Sequence, residues 1–283
     1  MDWTPGGRSG DLEDRRGDSG GFGGFGLPHI GIGGFIIVAI LSLVFHRNFF
    51  ALLNGGSASS EPTATSRPVN DPSEEREVQF VSFVLDDVQK TWTGVFAQQG
   101  HTYRHAKLVL FRDAIQSACG GAQSATGPFY CPADQKVYLD LGFFEELKRR
   151  FGAPGEFAQA YVIAHELGHH VQNLLGTEQK AEGAMQSSNK TQRNAISVRL
   201  ELQADCYAGV WGHSTEQRKI VDQSDFKQAM AAAAAVGDDR LEKMAGQSVS
   251  PESFTHGSSE QRMHWFQQGF TTGDLSACNT FAQ

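Results

Sequence analysis

The sequence predicts an α+β fold, predominantly helical, with a small β-sheet and one transmembrane helix ahead of the folded domain. Three observations predict it. Apolar residues recur at helical spacing over 78–92, 157–175 and 194–211, two short stretches at 107–111 and 136–141 are rich in β-prone residues between turn residues, and an uncharged apolar run fills 30–45. With 283 residues, 40% of them hydrophobic, the chain is long enough to bury one sizeable core. Its 32 acidic and 24 basic residues give a net charge of −8 without a long run of either sign, which argues against a nucleic-acid partner.

Residues 1–28 are rich in Gly, Asp and Arg and nearly lack large aliphatics, so they read as a flexible tail unable to bury enough apolar surface to order itself. Residues 29–53 follow as a transmembrane anchor. The uncharged core is short for a span, but Leu27 and the turn Phe49-Phe50-Ala51-Leu52-Leu53 extend it to bilayer thickness. A cleaved signal peptide fits less well, because the region before the apolar run is long and partly acidic and no small-residue cleavage site follows closely. Arg15 and Arg16 precede the run and Arg47 follows it, which tilts the amino terminus toward the cytoplasm and the bulk of the chain to the outside.

Residues 54–77 are a Gly/Ser/Thr/Pro-rich linker, ending in a helix-start signal at Pro72-Ser73-Glu74-Glu75. The folded domain is expected over 78–283, opening on a helix with Val78, Val81, Val84, Leu85, Val88 and Trp92 on one face. Lys107 to Phe111 and Lys136 to Leu141 are the strands of the small sheet. Either they are interior strands, or one forms an edge against which an extended peptide could add a further strand. A helix over 143–151 ends at Gly152, and Pro154-Gly155 separates it from the next.

That next helix carries the chemistry. Tyr161, Val162, Ile163, Leu167, Val171, Leu174 and Leu175 recur at helical spacing with no Pro between Glu156 and Leu175. His165 and His169 therefore share one face, one turn apart, where two imidazoles can meet a single Zn²⁺. Glu166 lies about 100° round the helix from His165, placed to act as a base on water rather than as a ligand. Two imidazoles on a solvated surface helix would be the ordinary reading of such a pentapeptide, but this face is embedded in aliphatic residues, where unpaired imidazoles are costly.

A hydrolytic zinc site needs a third protein ligand and a fourth position left open. Gln172 and Leu175 stand where a metzincin would have Gly and His, which excludes that class. Glu201, on the amphipathic helix marked by Ile196, Leu200, Ala204, Tyr207, Ala208 and Trp211, is the expected third ligand. Asp205, one turn on, can accept the Nδ1–H of a ligand histidine. Glu178, Glu182 and His213 are weaker candidates, and 177–193 reads as a polar lid or insertion without a firm period. His101, His105, His170 and His264 read as structural or surface residues, and the alanines at 231–235 as helix propensity.

The four cysteines lack the CxxC spacing of a zinc ribbon or a thioredoxin-like site. Cys119 and Cys131 bracket a small-residue loop and pair naturally by proximity, leaving Cys206 for Cys278. Four cysteines nevertheless allow three connectivities, and four reduced thiols in a cytosolic chain remain the alternative.

These residues carry a resemblance. His165-Glu166-Leu167-Gly168-His169 with Glu201 and Asp205 is similar to the glutamate-zincins, the thermolysin-like and CAAX-protease-like metallopeptidases. More closely, the chain resembles the bacterial membrane-anchored "putative neutral zinc metallopeptidase" family. The motifs are Leu12-Glu13-Asp14-Arg15-Arg16-Gly17, the run from Gly127 to Lys136, the zinc helix, Glu201-Leu202-Gln203-Ala204-Asp205-Cys206 and Cys278. The resemblance implies a zincin-like domain acting on a protein or peptide substrate. It also implies that His256, followed six residues later by Arg262, donates to the oxyanion while Arg262 braces the site. Gly257 stands where Pro usually follows that histidine. The rival readings are a membrane-anchored scaffold that keeps zinc only to hold its fold, which would have no use for Glu166, and an amidase of cell-wall peptides with the same site chemistry. Nothing in the sequence sets an oligomeric state.

Overall fold

The computed structural model describes residues 1–18, 72–124, 127–149, 152, 153 and 155–282. Its sheet has the strand order β1-β2-β6-β5, built from β1 (Leu12–Asp14), β2 (Lys107–Phe111), β5 (Phe129–Cys131) and β6 (Lys136–Asp140). The first three in that order run parallel, and β5 closes one edge antiparallel to β6. The two strands expected from sequence are thus the interior pair. Alternation divides their side chains between the two faces: Leu108 and Leu110 join the main core, while Val109 and Phe111 pack with Tyr138 and Cys131 in a second cluster. There β3 (Ala114–Ser117) and β4 (Gly120–Gln123) form a separate antiparallel hairpin. The Cys119–Cys131 disulfide fastens that hairpin to the edge strand.

The helix α1 (Pro72–Gln98) starts ahead of the expected boundary at 78, and Val78, Val81, Val84, Leu85, Val88 and Trp92 are fully buried along it. After α2 (Gly142–Arg149), α3 (Glu156–Leu174) runs through the middle of the domain. The polar stretch after it is α4 (Thr177–Gln186) followed by the first turn of α5 (Lys190–Gln217). Asn189 caps α5 reciprocally with Gln192, which is why a segment without an apolar period is nevertheless helical. The chain continues through α6 (Gln223–Ala235), α7 (Asp238–Met244) and α8 (Ser259–Thr272) to a 3₁₀ turn at Leu275–Cys278. That turn is held to α5 by the Cys206–Cys278 disulfide.

Three helices meet closely because glycine stands at their contacts. A Cβ on Gly168 of α3 would lie 3.0 Å from the Ala204 carbonyl oxygen of α5. Where α5 crosses α8, a Cβ on Gly209 would fall 2.1 Å from the Phe266 carbonyl oxygen and one on Gly269 only 1.9 Å from that of Cys206. No side chain fits there, so backbone packs on backbone.

The amino terminus departs from expectation. Residues 1–18 are not a flexible tail but part of the domain. Leu12 pairs in register with Leu108, and Arg16, with 1% of its side chain exposed, binds Asp14 at 2.7 Å and Glu74 at 2.6 Å. Trp3 packs edge-on against Phe80 with centroids 5.3 Å apart and donates from Nε1 to Glu156 Oε2 at 3.0 Å. Composition missed this because the docking runs on a backbone ladder and ion pairs rather than on aliphatic burial. Among the described residues no helix is long and apolar enough to cross a membrane, and the expected anchor at 29–53 lies outside them.

Candidate metal centre

The buried helix α3 and the central part of α5 lie side by side at Gly168, which brings Glu201 against the histidine face. Glu201 Oε2 is 3.1 Å from His165 Nε2, and Oε1 is 3.6 Å from His169 Nε2. The ligand atoms of these three residues all lie within 4.8 Å of one another. Two imidazole nitrogens and a carboxylate that close together make a donor set that could hold a metal ion, and zinc takes these ligand types.

Both rings are turned toward Glu201 by the partners of their other nitrogens. His165 Nδ1–H donates to Asp205 Oδ1 at 2.8 Å, and His169 Nδ1–H donates to Gln172 Oε1 at 2.9 Å. A carboxylate or an amide oxygen can only accept, so each histidine carries a proton on Nδ1 and turns Nε2 toward Glu201. These two bonds are the structural reason the residues fit zinc. Arg262 holds Asp205 in turn, from Nε to Oδ2 at 2.8 Å and from Nη2 to Oδ1 at 2.9 Å, and the Tyr161 hydroxyl donates to Oδ1 at 2.5 Å.

The electrostatics are those of a centre arranged for a cation. Burial pulls the His165 pKa down, but the charge and hydrogen bond of Asp205 and the hydrogen bond to Glu201 outweigh it and raise it to about 10. Burial pushes Glu201 up, yet His169 and His165 hold it well below the usual carboxylate range. The 3.1 Å contact between His165 Nε2 and Glu201 Oε2 lies between two of the would-be ligands, so metal binding there would release the imidazole proton. Glu166 is 9% exposed, and burial raises its pKa above the ordinary carboxylate value against the pull of both histidines. That is the direction a general base needs.

His256 stands on the loop before α8, near enough for its charge to act on Glu201. Its Nδ1–H donates to Asp238 Oδ1 at 3.1 Å, and Asp238 Oδ2 accepts the backbone N–H groups of Thr255, His256 and Gly257 at 2.7, 2.7 and 3.0 Å. Gly257 has φ 92, a left-handed conformation closed to proline, which accounts for glycine at that position. Burial lowers the His256 pKa, but the Asp238 hydrogen bond and the charges of Glu201 and Asp238 raise it above its ordinary value overall.

Sequence reasoning missed Asp238, Tyr161 and Gln172. Tyr161 lies one turn before His165 on the same face and Gln172 nearly one turn after His169, so helical spacing could have found both; Asp238 gave no signal. The weaker candidates stay outside the cluster: Glu182 is exposed, and His213 bonds the Phe270 carbonyl and Gln217. Glu178 keeps one buried carboxylate oxygen without a hydrogen bond and is not among the converging ligands. His170 is structural, donating from Nε2 to the Arg104 carbonyl at 2.6 Å and accepting from the Tyr130 hydroxyl at 3.0 Å. His101, His105 and His264 are exposed.

Residues 1–281 match a family model described as "Putative neutral zinc metallopeptidase". The chain is 44% identical over 289 residues to the Escherichia coli K12 "Uncharacterized protein YpfJ", covering all of this chain and 99% of that one. It is 45% identical over 198 residues to "Uncharacterized protein Mb2605" of Mycobacterium bovis, covering 65% of this chain and 64% of the relative. No solved structure matches it.

Proposed function

The chain belongs to the family described as "Putative neutral zinc metallopeptidase", and on that premise we propose that it is a membrane-attached zinc peptidase of the HExxH, glutamate-zincin type. The observation that carries the reading is the approach of Glu201 to the Nε2 atoms of His165 and His169, at 3.1 and 3.6 Å. His165, His169 and Glu201 would hold the ion. Zinc bound there supplies Lewis acidity, making water a nucleophile near neutral pH and polarising the scissile carbonyl.

The remaining work falls to the chain's own residues. Glu166, with its raised pKa, takes the proton of the attacking water and passes it to the leaving amine. His256 donates to the oxyanion of the tetrahedral intermediate, and Asp238 keeps it protonated and turned inward. Asp205, Tyr161 and Arg262 fix the His165 ring. The products are the two halves of a hydrolysed protein or peptide.

The two disulfides support our placing the domain in an oxidising, extracytoplasmic compartment. Residues 29–53 are the proposed membrane-attachment segment. Because residues 1–18 pack on the domain, we place them on its side of the membrane and not in the cytoplasm.

The test is purified full-length protein and its Glu166→Gln variant, assayed for bound zinc and for cleavage of a denatured protein substrate. Both should bind one zinc ion, with cleavage abolished by a chelator and by the substitution. Wild-type protein that binds zinc but cleaves nothing, alongside cells indifferent to Glu166→Gln, would favour the scaffold reading.

A further inference from the structure

Resting on the metal-centre reading above, we propose that Gln172 and Gln203 are positioning residues that, anchored by the carbonyl of disulfide-bonded Cys278, set the tautomer of His169 and so its zinc affinity. Gln172 is 1% exposed and Gln203 6%, so neither amide has water to satisfy it. Gln172 Nε2 donates to the Leu200 carbonyl at 2.7 Å and to Gln203 Oε1 at 3.1 Å. Gln203 Nε2 donates to the Cys278 carbonyl at 3.0 Å.

The direction of this chain is fixed by its far end. A backbone carbonyl cannot donate, so Gln203 must turn its NH₂ toward Cys278 and its oxygen toward Gln172. Gln172 then turns its own NH₂ toward Leu200 and Gln203, which leaves only its oxygen for His169. The imidazole is thereby required to protonate Nδ1, which leaves Nε2, beside Glu201, as the nitrogen that can bind the ion. Reversing any one amide would set donor against donor.

His165 and His169 are therefore fixed by different means. A charged carboxylate, itself clamped by Arg262, holds the first; two neutral amides hold the second. The second arrangement depends on where Cys278 sits. Cys278 is fully buried near the carboxyl end of the chain, covalently tied to Cys206, which follows Gln203 by three residues on the helix that also carries Glu201. The disulfide joins the end of the relay to the ligand-bearing helix, and Thr280 adds a bond to the Arg199 carbonyl at 2.7 Å.

The experiment compares zinc affinity, by competition with a chromophoric chelator, in full-length wild type, Gln172→Met, Gln203→Met, Cys206→Ala/Cys278→Ala and the control Cys119→Ala/Cys131→Ala. It also records the ¹⁵N shifts of the His169 ring without metal. Loss of a partner that orients a ligand typically costs about 10–100-fold in metal affinity. That is the loss expected for both glutamine variants, with a smaller loss for Cys206→Ala/Cys278→Ala, none for the control, and mixed His169 tautomers in Gln203→Met. Gln203→Met keeps both disulfides, so it carries the test if the cysteine variant does not fold. Unchanged affinity and an unchanged tautomer in folded Gln203→Met would overturn the proposal. Wild type that binds no zinc overturns the metal-centre reading, and the relay with it, a result distinct from the first.

Discussion

Arg262 grips both oxygens of Asp205 inside the protein, its side chain 4% exposed and that of Asp205 not at all. The pair is a fork on a carboxylate that also carries the His165 proton donor. Replacing one member strands the other. Arg262→Met should lower unfolding free energy in urea by about 3–5 kcal/mol, the usual penalty for an uncompensated buried charge. Arg262→Lys keeps the charge but not the fork and should fall between. Equal stability of Arg262→Met and wild type would contradict this account.

The pairing of His256 with Asp238 predicts a kinetic signature. His256→Ala should lower kcat by roughly 10²–10³-fold, as loss of an oxyanion donor does, with bound zinc unchanged. Asp238→Asn should follow in the same direction with a smaller drop, because the His256 imidazole itself remains. Zinc loss in His256→Ala would instead mark the histidine as a ligand.

The docking of residues 1–18 should weaken in acid. Burial alone would raise the Asp11 pKa, but hydrogen bonds from Lys107 and His105 bring it below the ordinary 3.8. A carboxylate depressed by folding stabilises fully above its unfolded pKa and loses that contribution as pH falls through the folded value. The melting-temperature gap between wild type and Asp11→Asn should therefore hold steady at neutral and mildly acidic pH. It should close only below about pH 4. A gap that closes near neutrality would assign the effect to another group.

Same-side placement of the amino terminus is open to labelling in intact cells. Thr4 and Glu182 are both exposed, and all four native cysteines are paired. Thr4→Cys and Glu182→Cys should each react with a membrane-impermeant maleimide without permeabilisation. Labelling of Thr4→Cys only after lysis would separate residues 1–18 from the domain.

Removing the hairpin disulfide offers a contrast with the one at the metal centre. Cys119→Ala/Cys131→Ala opens a loop of 12 residues and should cost about 2–4 kcal/mol of stability in thermal unfolding. Peptide cleavage by the folded fraction should persist, since β5 remains paired with β6.

What could be read from sequence was what periodicity carries. The buried face of α1, the extent of α3 and the convergence of Glu201 with His165 and His169 follow from apolar spacing and from the ligand requirements of zinc. The Cys119–Cys131 pair followed from proximity along the chain, and Cys206–Cys278 was the pair it left. What escaped was held by single polar contacts between distant segments. The three-residue strand Leu12–Asp14 is too short for a pattern and exists because β2 offers an edge. Asp238 acts through backbone N–H groups contributed by residues 255–257, which no local pattern reveals. In sequence Gln172 stands out only as a departure from the metzincin pattern, although its place on α3 makes it the natural partner of His169.

The bare crossing of α5 and α8 makes the molecule sensitive at a distance. Gly269 follows Arg262 by seven residues and Gly209 follows Asp205 by four, about two turns and one turn along their helices. A methyl group at either glycine must wedge the helices apart and draw the guanidinium away from its carboxylate. A mutational scan scored on zinc retention would therefore flag Gly209 and Gly269 alongside the ligands, though neither has a side chain to reach the ion.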